Sequence, residues 1–133
     1  MTNARLVFRG RTRRQRRALI EQIVTTWRER LLLEHWSFEV LLLREPPADV
    51  ALARITVNER YNDGLIEIHP EFWLQTKSTQ SRVLLHEIVH ALTNRLSVVG
   101  ARAPKRTLEL IDAEENLTEH ITNIVWDAYE EQP

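Results

Sequence analysis

His86, Glu87 and His90 stand in the order His-Glu-Ile-Val-His. On a helix, residues four apart share one face, so the two imidazoles converge and can grip one ion. Neutral imidazole is a strong zinc ligand. Glu87 is rotated by about 100° from His86. It therefore sits beside the ion, where its carboxylate can take a proton from a metal-activated water. These residue types at this spacing point to metal-assisted hydrolysis. The plainer reading is two hydrogen-bonded histidines on an ordinary helix. The apolar Leu84, Leu85, Ile88, Val89 and Leu92 around them favour a buried active-site helix.

Two ligands do not hold a catalytic zinc; a third protein ligand is expected, with one position left for water. No histidine occurs between Leu92 and Glu119, which leaves the carboxylates Asp112, Glu114, Glu115 and Glu119, with His120 beside them. Glu114 follows Leu110 by four and precedes Leu117 by three and Ile121 by seven, so it interrupts the apolar stripe of its own segment. A carboxylate buried there is costly unless an ion neutralises it. Glu114 is the expected third ligand and Glu115, about 100° round the helix, the alternative. Glu119 reads as a solvated charge. Thr118, one turn after Glu114, is placed to support the ligands from behind. For a second donor to the oxyanion, Tyr61, His69, His120 and Tyr129 are the candidates.

Three kinds of element must position this set. Ala18, Leu19, Ile23, Val24, Trp27, Leu31 and Leu32 recur at helical spacing and predict a helix from about Thr12 to Leu33. Trp36 to Leu43 is rich in β-formers and is stopped by Glu45-Pro46-Pro47. A second strand is expected from about Ala51 to Asn58 and a third from Leu65 to His69, joined by a turn at Asn62-Asp63-Gly64. The third strand could pair with an extended peptide. Ser78 or Thr79 is expected to cap the His86 helix, which runs to about Leu96. Ser97 to Arg106 reads as a loop, and Leu108 to about Tyr129 as the last helix. Trp27, Trp36, Trp73 and Trp126 are expected in the core or at an interface. The order predicts an α+β domain: an N-terminal helix, a small antiparallel or mixed sheet with a hairpin, the metal helix and a glutamate helix.

The chain has 133 residues, 43% of them hydrophobic, enough for one domain with its own core. The absence of cysteine excludes a disulfide framework, a thiol nucleophile and a Cys-ligated zinc ribbon. No secretory signal or membrane-spanning stretch is visible, so a cytoplasmic location without membrane partners is expected. Net charge is −1, but Arg5, Arg9, Arg11, Arg13, Arg14, Arg16 and Arg17 crowd residues 1–17. That segment is set apart from a single domain over residues 18–133. Its run of cations could grip nucleic-acid phosphates. The plainer reading, a solvated helix start or a frayed basic tail docked on the acidic body of its own domain, is favoured, because no aromatic residue is interleaved between Arg9 and Arg17 for base stacking.

His86-Glu87-x-x-His90 followed by a glutamate on the next helix resembles the gluzincin branch of zinc metallopeptidases. The segment Glu114-x-x-Leu117-Thr118-x-x-Ile121 is similar to the glutamate helix of its minimal members, often carried by phages or prophages. So is the flow from Trp36-Ser37-Phe38-Glu39-Val40 through a hairpin to the metal helix. The resemblance covers about the last two-thirds of the chain, and its specific part is the five-residue motif. It implies a zincin-like fold, a zinc held by two histidines and a glutamate, a sheet edge beside the cleft, and hydrolysis of peptide bonds in a peptide or protein substrate. The alternative is a non-catalytic zinc-stabilised binding domain, associated with nucleic acid through its arginines.

Overall fold

A computed structural model of the chain describes residues 12–46, 51–100 and 107–130. The domain is α+β, with three α-helices and a three-stranded mixed sheet. Helix α1 spans Arg13–Arg30. It opens on a capping box: the Thr12 hydroxyl accepts from the Gln15 N–H at 3.1 Å, and the Gln15 side chain accepts from the Thr12 N–H at 2.7 Å. It stops three residues earlier than apolar spacing predicts. The Leu32 N–H turns back to the Glu29 carbonyl and the Leu33 N–H to the Arg28 carbonyl, with Leu32 at φ 56°. This closure normally uses glycine at the left-handed residue. A run of three leucines gave no sign of it.

Strands β1 (Ser37–Leu42), β2 (Ala53–Asn58) and β3 (Asp63–Ile68) lie in the order β1-β3-β2. β1 pairs with β3 in parallel, Val40 opposite Ile66, and β2 pairs with β3 antiparallel, Ile55 opposite Ile66. The expected hairpin is present, but its turn falls earlier, on a 3-10 turn at Glu59–Tyr61 and Asn62 at φ 49°. Asp63 and Gly64 are already strand. Gly64 serves packing here: a Cβ on it would lie 3.1 Å from both Ile55 Cδ1 and Phe38 Cδ1. β3, expected as a peptide-binding edge, is the central strand with both sides paired. β2 is the edge nearer the metal helix.

Helix α2 spans Lys77–Gly100 and α3 spans Thr107–Glu130. The cap of α2 is Thr76, whose hydroxyl accepts from the Thr79 N–H at 3.1 Å; Ser78 and Thr79 lie inside the first turn. The helix also runs through Ser97–Gly100, expected as loop, while residues 101–106 lie outside the described residues. α2 packs against α1, α3 and β2, and α1 covers β1. Ile20, Ile66, Ile68, Phe72, Leu84, Leu85, Ile88 and Val89 are fully buried between them. Trp27, Trp36 and Trp73 are buried as expected, and Trp126 packs at the core's margin. Among the described residues no helix is long and apolar enough to cross a membrane.

The arginines of α1 are largely spent on the domain itself. Arg17 donates to the Val40 carbonyl and Arg13 to the Leu42 carbonyl, both at 2.6 Å, along the side of β1 that no strand covers. Arg16 lies over the Trp73 ring, and Arg28 donates to the Trp36 carbonyl at 3.2 Å. Arg5, Arg9 and Arg11 lie outside the described residues.

Candidate metal centre

The two imidazoles stand one turn apart on α2, ring centroids 5.0 Å apart and nearly perpendicular. Each is held from behind by a carboxylate of α3. His86 Nδ1 lies 2.9 Å from Glu119 Oε2. His90 Nδ1 lies 2.8 Å from Glu114 Oε1. With both Nδ1 positions so engaged, each ring keeps Nε2 for a ligand, the tautomer a metal requires. Oε1 of Glu115 approaches His90 Nε2 at 3.5 Å. His86, His90 and Glu115 place one ligand atom each within 4.8 Å of one another.

Glu114, the expected third ligand, thus stands behind His90, and Glu115 stands on the side where an ion would sit. The reason is local. Glu114 is buried, 5% exposed, because it faces the α2–α3 interface. There the Thr93 hydroxyl donates to it at 2.5 Å and the Thr118 hydroxyl at 3.3 Å. The two hydroxyls lie 2.7 Å from each other. The His90 imidazole and two hydroxyls surround the Glu114 carboxylate. Burial pushes the Glu114 carboxyl upward, but the bonds from Thr93, His90 and Thr118 outweigh it and hold it below the ordinary range. Glu115, at the solvent rim with a half-exposed side chain, is positioned as a ligand open to one side.

The Thr118 hydroxyl lies 3.5 Å from His90 Nδ1. Thr93 was not foreseen, although it lies three after His90 on the same helical face. Nor was Glu119, whose spacing of four from Glu115 puts both on one face of α3. Glu119 also bridges to Arg82 at 3.2 Å, and Arg82 reaches Asn123 as well. His86 is held below its ordinary pKa, first by burial and then by the neighbouring His90, against the pull of Glu119. A neutral imidazole is the form that ligates.

Glu87 lies on the β2 side. Burial pushes its carboxyl up to about 7, against the charge of His90, a hydrogen bond from the Ile55 backbone N–H and the charge of Arg54. That bond fixes the phase of β2. Since the Leu52 carbonyl accepts from the His69 N–H at 3.0 Å, even-numbered residues of β2 turn their backbone groups to β3. Ala53, Ile55 and Val57 turn theirs outward, toward the cleft. Two hollows adjoin there, of about 370 and 430 Å³, sharing Ala51, Ala53, His86 and Glu87. The first continues over Leu52, Val83 and Thr122. The second continues past His90 to Arg54, Asn94 and Glu115.

None of the four expected oxyanion donors lines either hollow. Tyr61 is 66% exposed in the turn before β3, and His120 is exposed on α3. His69 is buried with Nδ1 on the Ala51 carbonyl. Tyr129 packs against Trp27. Donors that do line the cleft include Arg54, Asn94 and Arg82, with the Thr79 and Thr122 hydroxyls.

No protein-family model, no curated protein and no solved structure matches the chain.

Proposed function

We propose that the protein is a zinc-dependent hydrolase of peptide bonds, with the ion held by His86, His90 and Glu115. One observation carries the reading: His86, His90 and Glu115 bring one ligand atom each within 4.8 Å of one another, while Nδ1 of each imidazole meets a second carboxylate. Two nitrogens and one oxygen fit the donor set of a catalytic zinc, which leaves a fourth position open. A metal staple, the alternative expected from sequence, would need a fourth protein ligand, and the described residues group three.

When bound, the ion would make a water acidic near neutral pH and polarise the scissile carbonyl. The chain's own residues do the rest. Glu87, beside the cleft and with its pKa raised to about 7, would serve as the general base toward the attacking water and as the acid toward the leaving amine. Glu119 and Glu114 keep the two rings from rotating. The outward N–H and C=O groups of Ala53 and Val57 receive an extended substrate backbone by strand addition. Ile55 N–H, already on Glu87, fixes the base relative to that backbone. Arg54 and Asn94 are the cleft's candidates for the developing oxyanion.

The test pairs metal content with turnover. Protein purified without chelator should carry about one zinc per chain by elemental analysis and cut unfolded protein or peptides; chelation should stop the cutting and added zinc restore it. Purified protein that neither retains a transition metal nor binds added zinc would defeat the proposal.

A further inference from the structure

A third hollow lies away from the metal cleft, between the end of α1, the start of α2 and the end of α3. It measures about 350 Å³ and is lined by Ile23, Trp27, Arg30, Lys77, Trp126 and Tyr129, with Ser78 and Ser81 at its edge. Its chemistry is the reverse of the metal cleft's. Four glutamates, Glu87, Glu114, Glu115 and Glu119, line the cleft. Among the described residues no acid lines the third hollow, and two cations do.

The rings are arranged around Trp27. Its centroid lies 6.0 Å from that of Trp126, tilted, and 5.8 Å from that of Tyr129, edge to face. The Trp27 N–H is satisfied by the Ser81 hydroxyl at 3.0 Å, so that ring is fixed. The Arg30 guanidinium carbon stands 4.9 Å from the Trp27 centroid and 4.5 Å from the Tyr129 centroid. Unlike Arg13, Arg17 and Arg28, which give their N–H groups to carbonyls, Arg30 meets rings and no oxygen among the described residues. A guanidinium placed over two rings, with no oxygen partner among the described residues, has N–H groups to offer an oxyanion. Lys77 adds a point charge from the first turn of α2.

We infer that this hollow binds a nucleoside phosphate, the base against Trp126 and Tyr129 and the phosphate between Arg30 and Lys77. Its volume is at the small end for a ligand site, which suits one nucleotide. Aromatic faces beside cations are what a base and its phosphate need, and stacking accepts any base. The inference stands apart from the metal site and survives if the chain hydrolyses nothing. The ligand's source is either a free nucleotide or the 5′-phosphorylated end of a single strand.

Trp27 and Trp126 line the hollow, so intrinsic tryptophan fluorescence reads its occupancy in the full chain. Titration with adenosine monophosphate should give saturable quenching, and inorganic phosphate should bind at least about tenfold more weakly, for lack of stacking. Arg30→Ala and Lys77→Ala should each weaken the nucleotide by about tenfold, as loss of one charge-assisted contact does. Arg14→Ala, an exposed arginine at the other end of α1, should leave it unchanged. A 5′-phosphorylated oligothymidylate that binds more tightly than the mononucleotide assigns the site to strand ends; the opposite order assigns it to free nucleotides. No saturable quenching up to about 10 mM, near the floor of measurable affinity, would overturn the inference. So would equal binding of phosphate alone, or an Arg14→Ala loss as large as that of Arg30→Ala. Should Arg30→Ala fail to fold, Lys77→Ala carries the test.

Discussion

Glu114 meets His90 through the nitrogen behind the ring: Oε1 lies 2.8 Å from Nδ1. Under the proposed function, the two neighbouring acids would have different duties, Glu115 on the ion and Glu114 behind His90. Glu115→Ala should lower zinc affinity by more than about 100-fold, beyond the 10–100-fold range of changes behind a ligand, and Glu114→Gln should fall within that range. Competitive titration with a chelating dye decides it; a larger loss in Glu114→Gln would restore Glu114 as the ligand.

Glu87 and Glu114 should pull the stability of the metal-free protein in opposite directions with pH. The folded pKa of Glu87 is raised from 4.5 to about 7, so the folded state prefers its protonated form. Its penalty is absent below about pH 4.5 and complete above about 7, at most about 3.5 kcal/mol at about 1.4 per unit. Glu87→Gln should therefore stabilise the chelated protein at pH 8 and flatten its profile between those limits. The folded pKa of Glu114 is lowered, so its contribution is present above the unfolded carboxyl pKa and is lost as acid titrates the folded group. Glu114→Gln should remove part of the acid-side fall. Urea melts from pH 3 to 8 with chelator report both slopes.

Much of this arrangement was legible beforehand, and the misses have physical causes. The spacing of His86 and His90 is a local pattern and appears where the sequence puts it; the apolar phases hold less well, since Leu92 on α2 and Leu117 and Ile124 on α3 are exposed. What surrounds Glu114 was not legible in the sequence. Helical phase shows that a residue faces inward, but not whether an ion or a pair of hydroxyls waits there; Thr93 and Thr118 come from two different helices. Parallel pairing of β1 with β3 was equally hidden, because the partners are distant in sequence and period-two alternation carries no direction.

Leu32→Gly should stabilise the protein by about 1 kcal/mol, since a left-handed backbone costs an L-residue about that much. Leu32 is 73% exposed at φ 56°, so little packing is lost. Thermal unfolding measures the gain, and a drop in the midpoint would mean that Leu32 contributes contacts that outweigh its strain.

Ile55→Pro should cut hydrolysis at least about tenfold while zinc content stays constant, because an edge strand tolerates proline where the N–H faces away from the ladder. It removes the N–H that holds Glu87. Unchanged turnover in a folded variant would deny β2 its part in positioning the base.

The two flanks of the sheet have opposite fates. Carbonyls of β1 are stoppered by Arg13 and Arg17, whereas β2 leaves Ala53 and Val57 open onto the cleft. A fibre built by adding sheet to sheet needs a receptive side on each molecule's left and right, and this molecule offers one. Self-association through it can therefore go no further than a pair, β2 against β2. Such a pair would cover the cleft of each molecule.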